Sequence, residues 1–161
     1  MTELTADKKW IDDIEIENAN VKWGFSHFDG KEAMFNDAGD YNFQLILPEE
    51  QAKELIAEGW NVRVMDGREE GDPPEYLLKV KISFRFEPPK IYILKGKRKF
   101  RAEEVDLADI RRDTTLQLDV IVTPSRWVHG RDTGVSAYTK EMYVKVNESR
   151  FSAAYADYEE A

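Results

Sequence analysis

Apolar and polar side chains alternate most regularly between residues 76 and 86. Apolar side chains hold every second position, and most positions between them are cationic or polar: Lys79, Lys81, Ser83 and Arg85. Successive side chains of a strand point to opposite faces of a sheet. The pattern therefore predicts one long strand whose apolar face joins the core and whose cationic face is open to a ligand.

A second basic segment follows the Pro88-Pro89 pair. Residues 91–94 read IYIL, which predicts a short strand, and residues 95–101 read KGKRKFR. We expect a hairpin with Gly96 in its turn, because glycine is a preferred turn residue. The hairpin would bring several cations close to two aromatic side chains: Lys95, Lys97, Arg98, Lys99 and Arg101, with Tyr92 and Phe100.

One segment, PEEQAKELIAEG, predicts an α-helix over about residues 48–58. Pro48 is favoured in a first turn, two glutamates complement the positive helix end, and Gly59 supplies the stop. Its apolar stripe would consist of Ala52, Leu55 and Ile56.

Shorter alternating runs predict further strands at Ile14–Ile16, 21–25, Tyr41–Leu47, 61–65, 114–122 and 135–146. Residues 103–112 fit either a short helix or an extended crossing. Residues 123–134, TPSRWVHGRDTG, are rich in turn formers, and we expect a loop that carries Trp127.

These strands follow one another instead of alternating with helices, which favours an antiparallel barrel or sandwich over a parallel α/β sheet. We expect a mainly β fold, an OB-like antiparallel β-barrel with one inserted α-helix. A jelly roll or another sandwich stays open, because periodicity does not separate these architectures. Residues 1–150 would form a single domain, and residues 151–161 a flexible acidic C-terminal tail.

Composition excludes several classes of site and location. The chain of 161 residues is long enough for one domain with its own core. It has no cysteine, which rules out disulfides, thiolate zinc sites and cysteine nucleophiles. No apolar run approaches the roughly 20 residues that span a bilayer, and the first ten residues do not resemble a signal peptide. We therefore expect a cytoplasmic protein without a membrane partner.

Charge is distributed unevenly along the chain, although the net charge is −9. Residues 1–75 carry 7 basic and 19 acidic side chains, whereas residues 76–150 carry 16 basic and 10 acidic ones. Residues 151–161 carry three acids and no lysine or arginine. A basic middle between acidic ends suits a polyanionic ligand. The alternative to a polyanionic ligand is that ordinary surface charges are unevenly distributed along the chain without a function.

Motifs for catalysis are scarce, and we expect neither enzymatic activity nor a cofactor. The two histidines, His27 and His129, lie far apart in predicted loops. There is no zinc-protease motif, nucleophile elbow, phosphate loop or dinucleotide fingerprint. The acidic segment 66–75 could serve a metal-dependent nuclease, but its spacing does not match a calcium loop. A solvated loop is the simpler interpretation of that segment.

Cationic strand faces interleaved with aromatics suit the phosphates and bases of a single-stranded nucleic acid. Trp23 shares a face with apolar neighbours and is as compatible with the core as with stacking. Tyr143 would face outward if Met142 and Val144 are core. The predicted nucleic-acid-binding residues are Lys79, Lys81, Arg85, Tyr92, Lys95, Lys97, Arg98, Lys99, Phe100, Arg101, Arg126, Trp127, Tyr143 and Lys145. A plain solvated basic face is the alternative.

The order of segments resembles that of bacteriophage single-stranded DNA-binding proteins. The resemblance is carried by YNFQLILPEEQAKELIAEGWNV, EYLLKVKISF, the aromatic-basic segment, LQLDVIVTPSRW and AYTKEMYVKV before an acidic end. It implies an OB-like core whose groove coats single-stranded DNA without reading sequence, in replication and recombination. A phage-encoded protein would act in the host bacterial cytoplasm.

The same resemblance implies that an acidic tail recruits replication proteins such as a polymerase or helicase and competes with DNA. The matching positions are Asp157, Tyr158, Glu159 and Glu160. This chain ends in EEA, whereas many such tails are longer and finish on a hydrophobic residue. The sequence leaves the oligomeric state open, a homodimer included. Two rival functions are the metal-dependent nuclease and a β-sandwich structural or interaction module of a phage particle.

Overall fold

The computed structural model describes residues 11–34, 36–67, 69–85 and 87–147. These residues form a mainly β fold with one α-helix. The elements are β1 Ile14–Ile16, β2 Tyr41–Leu47, α1 Glu49–Ala57, β3 Val62–Met65, β4 Glu75–Ile82, β5 Lys90–Lys95, β6 Arg98–Arg101, β7 Thr115–His129 and β8 Asp132–Val146, with 3₁₀ turns at Trp23–Phe25 and Glu104–Asp109. The tail positions Asp157, Tyr158, Glu159 and Glu160 lie outside the described residues.

Strand β8 is the centre of the sheet. The order is β1-β7-β8-β4-β2, with β3 beside β4 and the β5–β6 hairpin beside β8. On one side, β8 pairs with β7 in an antiparallel ladder. On the other side it pairs in parallel, first with β4 at Ala137 and Tyr138 and then with β5 from Glu141 onward. Strand β8 therefore pairs directly with β4 and β5, and the cations of β6 are joined to it through β5.

The segment after β1 links both ends of this strand order. The Ala19 amide donates to the Leu118 carbonyl of β7 over 2.7 Å, and the Ile46 amide of β2 donates to the Asn20 carbonyl over 2.7 Å. Val21 forms an isolated antiparallel bridge with Leu45. Residues 19–21 thus lie between β7 and β2.

The predicted helix is present as α1, with Glu49 and Glu50 in its first turn. Gly59 has a φ of 96°, a left-handed conformation that ends a helix readily because glycine lacks a Cβ. Ala52 and Leu55 are buried as predicted, but Ile56 is 43% exposed. Successive helix residues differ by about 100° around the axis, so the residue after Leu55 turns away from the sheet. Within the described residues, no helix is long and apolar enough to cross a membrane.

The strand predicted at residues 21–25 is wrong. Residues Trp23–Phe25 form a 3₁₀ turn, in which the Phe25 amide donates to the Lys22 carbonyl and the Ser26 amide to the Trp23 carbonyl. The Ser26 hydroxyl reinforces the turn by donating to the Lys22 carbonyl over 2.9 Å. Local hydrogen bonds of this kind compete with a strand ladder.

Strand β4 ends at Ile82, whereas the sequence predicted a strand that continues to residue 86. Leu78, Val80 and Ile82 are buried and Lys79 and Lys81 are exposed, as the alternation predicted. The chain then leaves the sheet and returns as β5 after the two prolines, which cannot donate to a ladder.

The loop predicted at residues 123–134 is wrong. Strands β7 and β8 continue through it and meet at the two-residue turn Gly130-Arg131. Gly130 has a φ of 64°, which suits the first central position of a hairpin turn whose twist matches its strands. Pro124 is tolerated because the pairing of β7 with β1 stops at Val122, so its missing amide faces no described strand.

Two register shifts in the β7–β8 ladder change which side chains point inward. The first lies between Thr115 and Gln117 and leaves Leu116 60% exposed, although simple alternation would place it on one face with the buried Leu118 and Val120. The second pairs Ile121 with Glu141 and Val122 with Thr139, so Lys140 is an extra residue, a β-bulge.

Candidate nucleic-acid interface

A pair of tyrosines stands where β5 meets β8. Tyr92 and Tyr143 are register partners, and their rings stack with centroids 5.3 Å apart and planes 16° apart. Met142 and Val144 are fully buried, so Tyr143 faces outward as predicted. The Tyr143 hydroxyl donates to the Glu141 carboxylate over 2.7 Å, and this hydrogen bond raises the pKa of the phenol. The hydrogen bond therefore keeps the Tyr143 phenol protonated to a higher pH than an ordinary tyrosine.

Cations of β6 approach the Tyr92 ring. The Lys99 ammonium lies 4.8 Å and the Arg101 guanidinium carbon 5.6 Å from the ring centroid. A cation over an aromatic face is attracted by the ring quadrupole. The ring thus holds two positive charges beside the tyrosine pair.

The structure divides the β5–β6 hairpin between two faces. Directly paired residues point to the same side of a sheet. Arg101 pairs with Tyr92 and Lys99 with Leu94, which places them on the Tyr143 face. Phe100 pairs with the buried Ile93, so it lies on the opposite face, where the Arg98 guanidinium carbon is 5.6 Å from its ring centroid.

The turn of this hairpin matches the prediction. Gly96 has a φ of 60° and, with Lys97, forms a two-residue turn. Lys97 and all of β6 are exposed, and among the described strands β6 pairs only with β5. Lys95 pairs with Arg98 and is half-buried.

A second basic group lies beside the middle of β8. Lys81 is the register partner of Tyr138, and its ammonium is 5.8 Å from the tyrosine ring centroid. Lys79, Lys81, Arg85 and Tyr138 line a cavity of about 620 Å³, which Asp40 and Glu104 also border. The three cations predicted on this segment are therefore brought together, although Arg85 follows the end of β4.

Tyr138 is a candidate that sequence reasoning missed. Val135, Ala137 and Thr139 are buried, so Tyr138 points to the opposite, outer face. Alternation over residues 135–139 could have indicated this, but the extra residue Lys140 hides the relation between Tyr138 and Tyr143. With the bulge between them, both tyrosines lie on one face.

Trp127 belongs to a two-stranded arm instead of a loop. It is 38% exposed and pairs with Gly134. A Cβ added to Gly134 would lie 2.5 Å from the indole Cζ2, so the ring rests on the glycine. Arg126 pairs with the buried Val135 and therefore belongs to the other face of the arm.

The outer face of β8 thus presents three aromatic positions in succession, flanked by cations. Trp127 lies over Gly134 at one end, Tyr138 is in the middle, and Tyr143 follows the bulge. Lys145, which pairs with Leu94, extends the face beyond Tyr143 and is exposed. We call this surface the β8 face. Trp23 lies elsewhere: it is half-buried, and its ring centroid is 5.4 Å from that of the buried Phe28.

The acidic segment 66–75 shows no metal-site geometry where the structure describes it. No group of three or more potential ligands converges within the described ranges. Glu75 instead accepts a 2.6 Å hydrogen bond from the Lys22 ammonium.

Comparisons with known proteins place this architecture in a family. A family model described as "Putative phage ssDNA-binding domain" matches residues 4–161. No curated protein sequence matches the chain. A C-terminal truncation of the single-stranded DNA-binding protein from bacteriophage Enc34 has a similar structure, with a TM-score of 0.53 and 12% identity over 85% of this chain and 87% of that chain.

The same Enc34 protein in complex with single-stranded DNA gives a TM-score of 0.52 and 11% identity, over 86% of this chain and 89% of that chain. At this identity the likeness shows the fold, which is mainly β with one short helix and OB-like. Because the family model spans nearly the whole sequence, the chain belongs to the phage single-stranded DNA-binding domain family, whose members bind DNA without enzymatic activity.

Proposed function

We propose that this protein coats single-stranded DNA through the β8 face, without reading base sequence, during phage DNA replication and recombination. The observation that carries the proposal is the Tyr92–Tyr143 stack, which Lys99 and Arg101 flank on the same face. Bases would stack on Tyr143 and Trp127, and phosphates would lie along Lys79, Lys81, Arg85, Lys99, Arg101 and Lys145.

Two physical terms would supply the affinity. Each lysine or arginine that neutralises a phosphate releases condensed counterions, which makes binding salt-dependent. Each base stacked on an aromatic ring contributes about 1–3 kcal/mol, whatever its identity, because every base has a flat face. Duplex DNA hides its bases within the stack, so a face that depends on stacking favours single strands.

The cations on the other side of the hairpin and arm would contribute less. Lys95, Arg98 and Arg126 do not share the face of the tyrosine pair, and neither does Phe100. Lys97 sits in the turn between the two faces and could reach a phosphate from either. The predicted binding residues therefore fall into two groups. We call the side that carries Tyr143 the near face and the opposite side the far face.

We further propose that residues 1–150 form one domain whose sheet closes into a barrel, with residues 151–161 as an acidic tail. The hydrogen bonds of residues 19–21 to both β7 and β2 support closure. The three acids of the tail would compete with DNA for the β8 face and recruit a polymerase or helicase. The host bacterial cytoplasm would be the site of action.

Fluorescence anisotropy with labelled oligo-dT tests the proposal, measured with the full chain across a salt series. We expect tight binding that weakens steeply as salt rises and much weaker binding of a duplex of equal length. Equal affinity for single and double strands, or binding that ignores salt, would contradict it. Incubating the labelled strand with magnesium or manganese tests the nuclease alternative, and we expect the strand to stay intact.

A further inference from the structure

The outer face of the sheet changes the sign of its charge from one side to the other. Directly paired residues point to the same side of a sheet, so the pairings define rows of side chains that cross it. One row begins at Asp119 of β7, which pairs with Tyr143 of β8. The row continues through Tyr92 of β5 to Arg101 of β6. An acid therefore stands at one end of this row and a cation at the other.

A second row has the same order of charge. Glu15 of β1 and Glu141 of β8 both pair with Ile121 of β7. Glu141 also pairs with Lys90 of β5 on its other side. Glu15 and Lys90 are exposed, and the two neighbours of Glu15 in β1 pack against the core. This row therefore runs from an outward-facing acid on β1 to an exposed cation on β5.

The acids on the β1–β7 side differ in whether a cation neutralises them. The Lys140 ammonium donates to the Asp13 carboxylate over 2.7 Å and lowers the pKa of that carboxyl. Asp119 instead accepts hydrogen bonds from uncharged donors, the Asn18 amide over 2.6 Å and the Gln117 side chain. Within the described ranges, neither Asp119 nor Glu15 forms a salt bridge. We call these two residues the acidic border.

The acidic border lies far from the cations at the other end of each row. Neighbouring strands are about 4.8 Å apart. Asp119 is three strand intervals from Arg101, and Glu15 is three intervals from Lys90, so each separation is about 14 Å along the sheet. The Debye length at about 0.1 M salt is only about 10 Å. A single backbone that follows the cations is therefore largely screened from the acidic border.

A duplex has a second backbone that cannot follow the same cations. The two backbones of B-DNA are separated by grooves about 6 and 12 Å wide. If one backbone lies along Lys90 and Arg101, the second crosses the tyrosine pair towards the acidic border. Like charges that meet across an interface weaken binding.

We propose that Asp119 and Glu15 are specificity-determining residues that exclude the second backbone of duplex DNA from the β8 face. A single strand keeps its phosphates on the cationic side and avoids them. Specific surfaces commonly combine attraction for the right partner with repulsion of the wrong one. This inference rests on the proposed function and adds an electrostatic contribution to the preference for single strands.

The first test neutralises the acidic border with Asp119→Asn/Glu15→Gln. The control, Glu50→Gln/Glu54→Gln, changes the net charge equally but lies on the exposed side of α1, outside the sheet. Anisotropy titrations of the full chain at about 0.1 M salt compare oligo-dT with a blunt duplex of equal length. We expect the border variant to bind the duplex about 3- to 10-fold more tightly than the native chain, and oligo-dT within about twofold of it. The control should stay within about twofold of the native chain on both ligands.

Two results of this test overturn the proposal. One is a gain in duplex affinity below about threefold in the border variant. The other is an equal gain in the control, because net charge would then explain the effect. Asparagine keeps an oxygen that can accept from the Asn18 amide, so the Tm of the border variant should stay close to the native value.

The second test uses the salt dependence of binding, which a small change in folding stability would not move. Glu15→Lys turns a repulsive position into a phosphate contact, so the salt slope of duplex binding should rise by about one while the slope on oligo-dT stays unchanged. Glu54→Lys changes the net charge equally and should leave both slopes unchanged. An unchanged duplex slope in Glu15→Lys, or the same rise in Glu54→Lys, overturns the assignment of Glu15.

The proposed function and the acidic border fail in different ways. A native chain that does not bind oligo-dT, or that binds duplex equally well, contradicts the proposed function itself. A native chain that prefers oligo-dT, with a preference that persists undiminished in the border variant, contradicts the acidic border alone.

Discussion

The two faces of the β5–β6 hairpin have similar composition but different surroundings. On one face, Lys99 and Arg101 lie over the ring of Tyr92, which stacks on Tyr143 of the central strand. On the other face, Arg98 lies near Phe100, whose register partner Ile93 belongs to the core. Both faces offer cations and an aromatic ring. Only the first face continues along β8 to Tyr138 and Trp127, so position in the sheet distinguishes them more than composition does.

The largest expected effect comes from reversing charge on one face at a time. We expect Lys99→Glu/Arg101→Glu to weaken oligo-dT binding by about 100-fold at about 0.1 M salt and to reduce the salt slope by about two. The matched variant Lys95→Glu/Arg98→Glu changes the net charge equally but alters the far face. It should lose less than about tenfold. Equal losses in anisotropy titrations would show that net charge, not the face, sets affinity.

Truncating one aromatic ring on each face should give the next largest difference. Tyr143→Ala removes a stacking surface and should weaken oligo-dT binding by about 5- to 100-fold, with an unchanged salt slope. Phe100→Ala is the control and should change affinity less than twofold. The same titrations measure both variants, and a larger loss for Phe100→Ala would reverse our assignment of the faces.

We expect a smaller effect from Gly134→Ala, because we assign no DNA contact to Gly134 itself. The new Cβ would lie 2.5 Å from the Trp127 ring, so the indole must move from its place on the arm. We expect a loss of about two- to fivefold in oligo-dT affinity and a Tm close to the native value. In a Trp127→Ala background, Gly134→Ala should have no further effect on affinity. An additional loss in that background would mean that the glycine acts without the indole.

The smallest effect concerns pH and the Tyr143 phenol. Its hydrogen bond to Glu141 raises its pKa, so folding favours the protonated form. That stabilisation is present below the unfolded pKa of tyrosine and is lost as pH rises through the higher folded pKa. The native chain should therefore lose slightly more stability than Tyr143→Phe in urea unfolding at strongly alkaline pH. Identical pH profiles of the native chain and Tyr143→Phe would show that the hydrogen bond from Tyr143 to Glu141 does not stabilise the fold.

Local sequence signals predicted the features that depend on residues close together in the chain. Gly96 set the hairpin turn, Gly59 set the helix end, and alternation placed Lys79 and Lys81 outward. The order of segments also predicted the OB-like fold and the family.

The features that sequence reasoning missed depend on contacts between distant strands. The bulge at Lys140 exists only in register with β7, so alternation alone could not relate Tyr138 to Tyr143. Residues 123–134 have the composition of a loop, yet cross-strand pairing extends them into an arm. The separation of Phe100 from Tyr92 likewise follows from pairing with β5. Tertiary register, not local propensity, decides which aromatic side chains share the β8 face.

The most direct measurement of the central claim is ultraviolet cross-linking of the full chain to an oligo-dT strand that carries 5-iododeoxyuridine, followed by mass spectrometry of the peptides. An excited base attacks the aromatic ring on which it stacks, so the cross-links identify the binding face. We predict cross-links at Tyr143, Tyr138 and Trp127. Cross-links confined to Phe100 or to residues 66–75 would contradict the claim that single-stranded DNA lies along the β8 face.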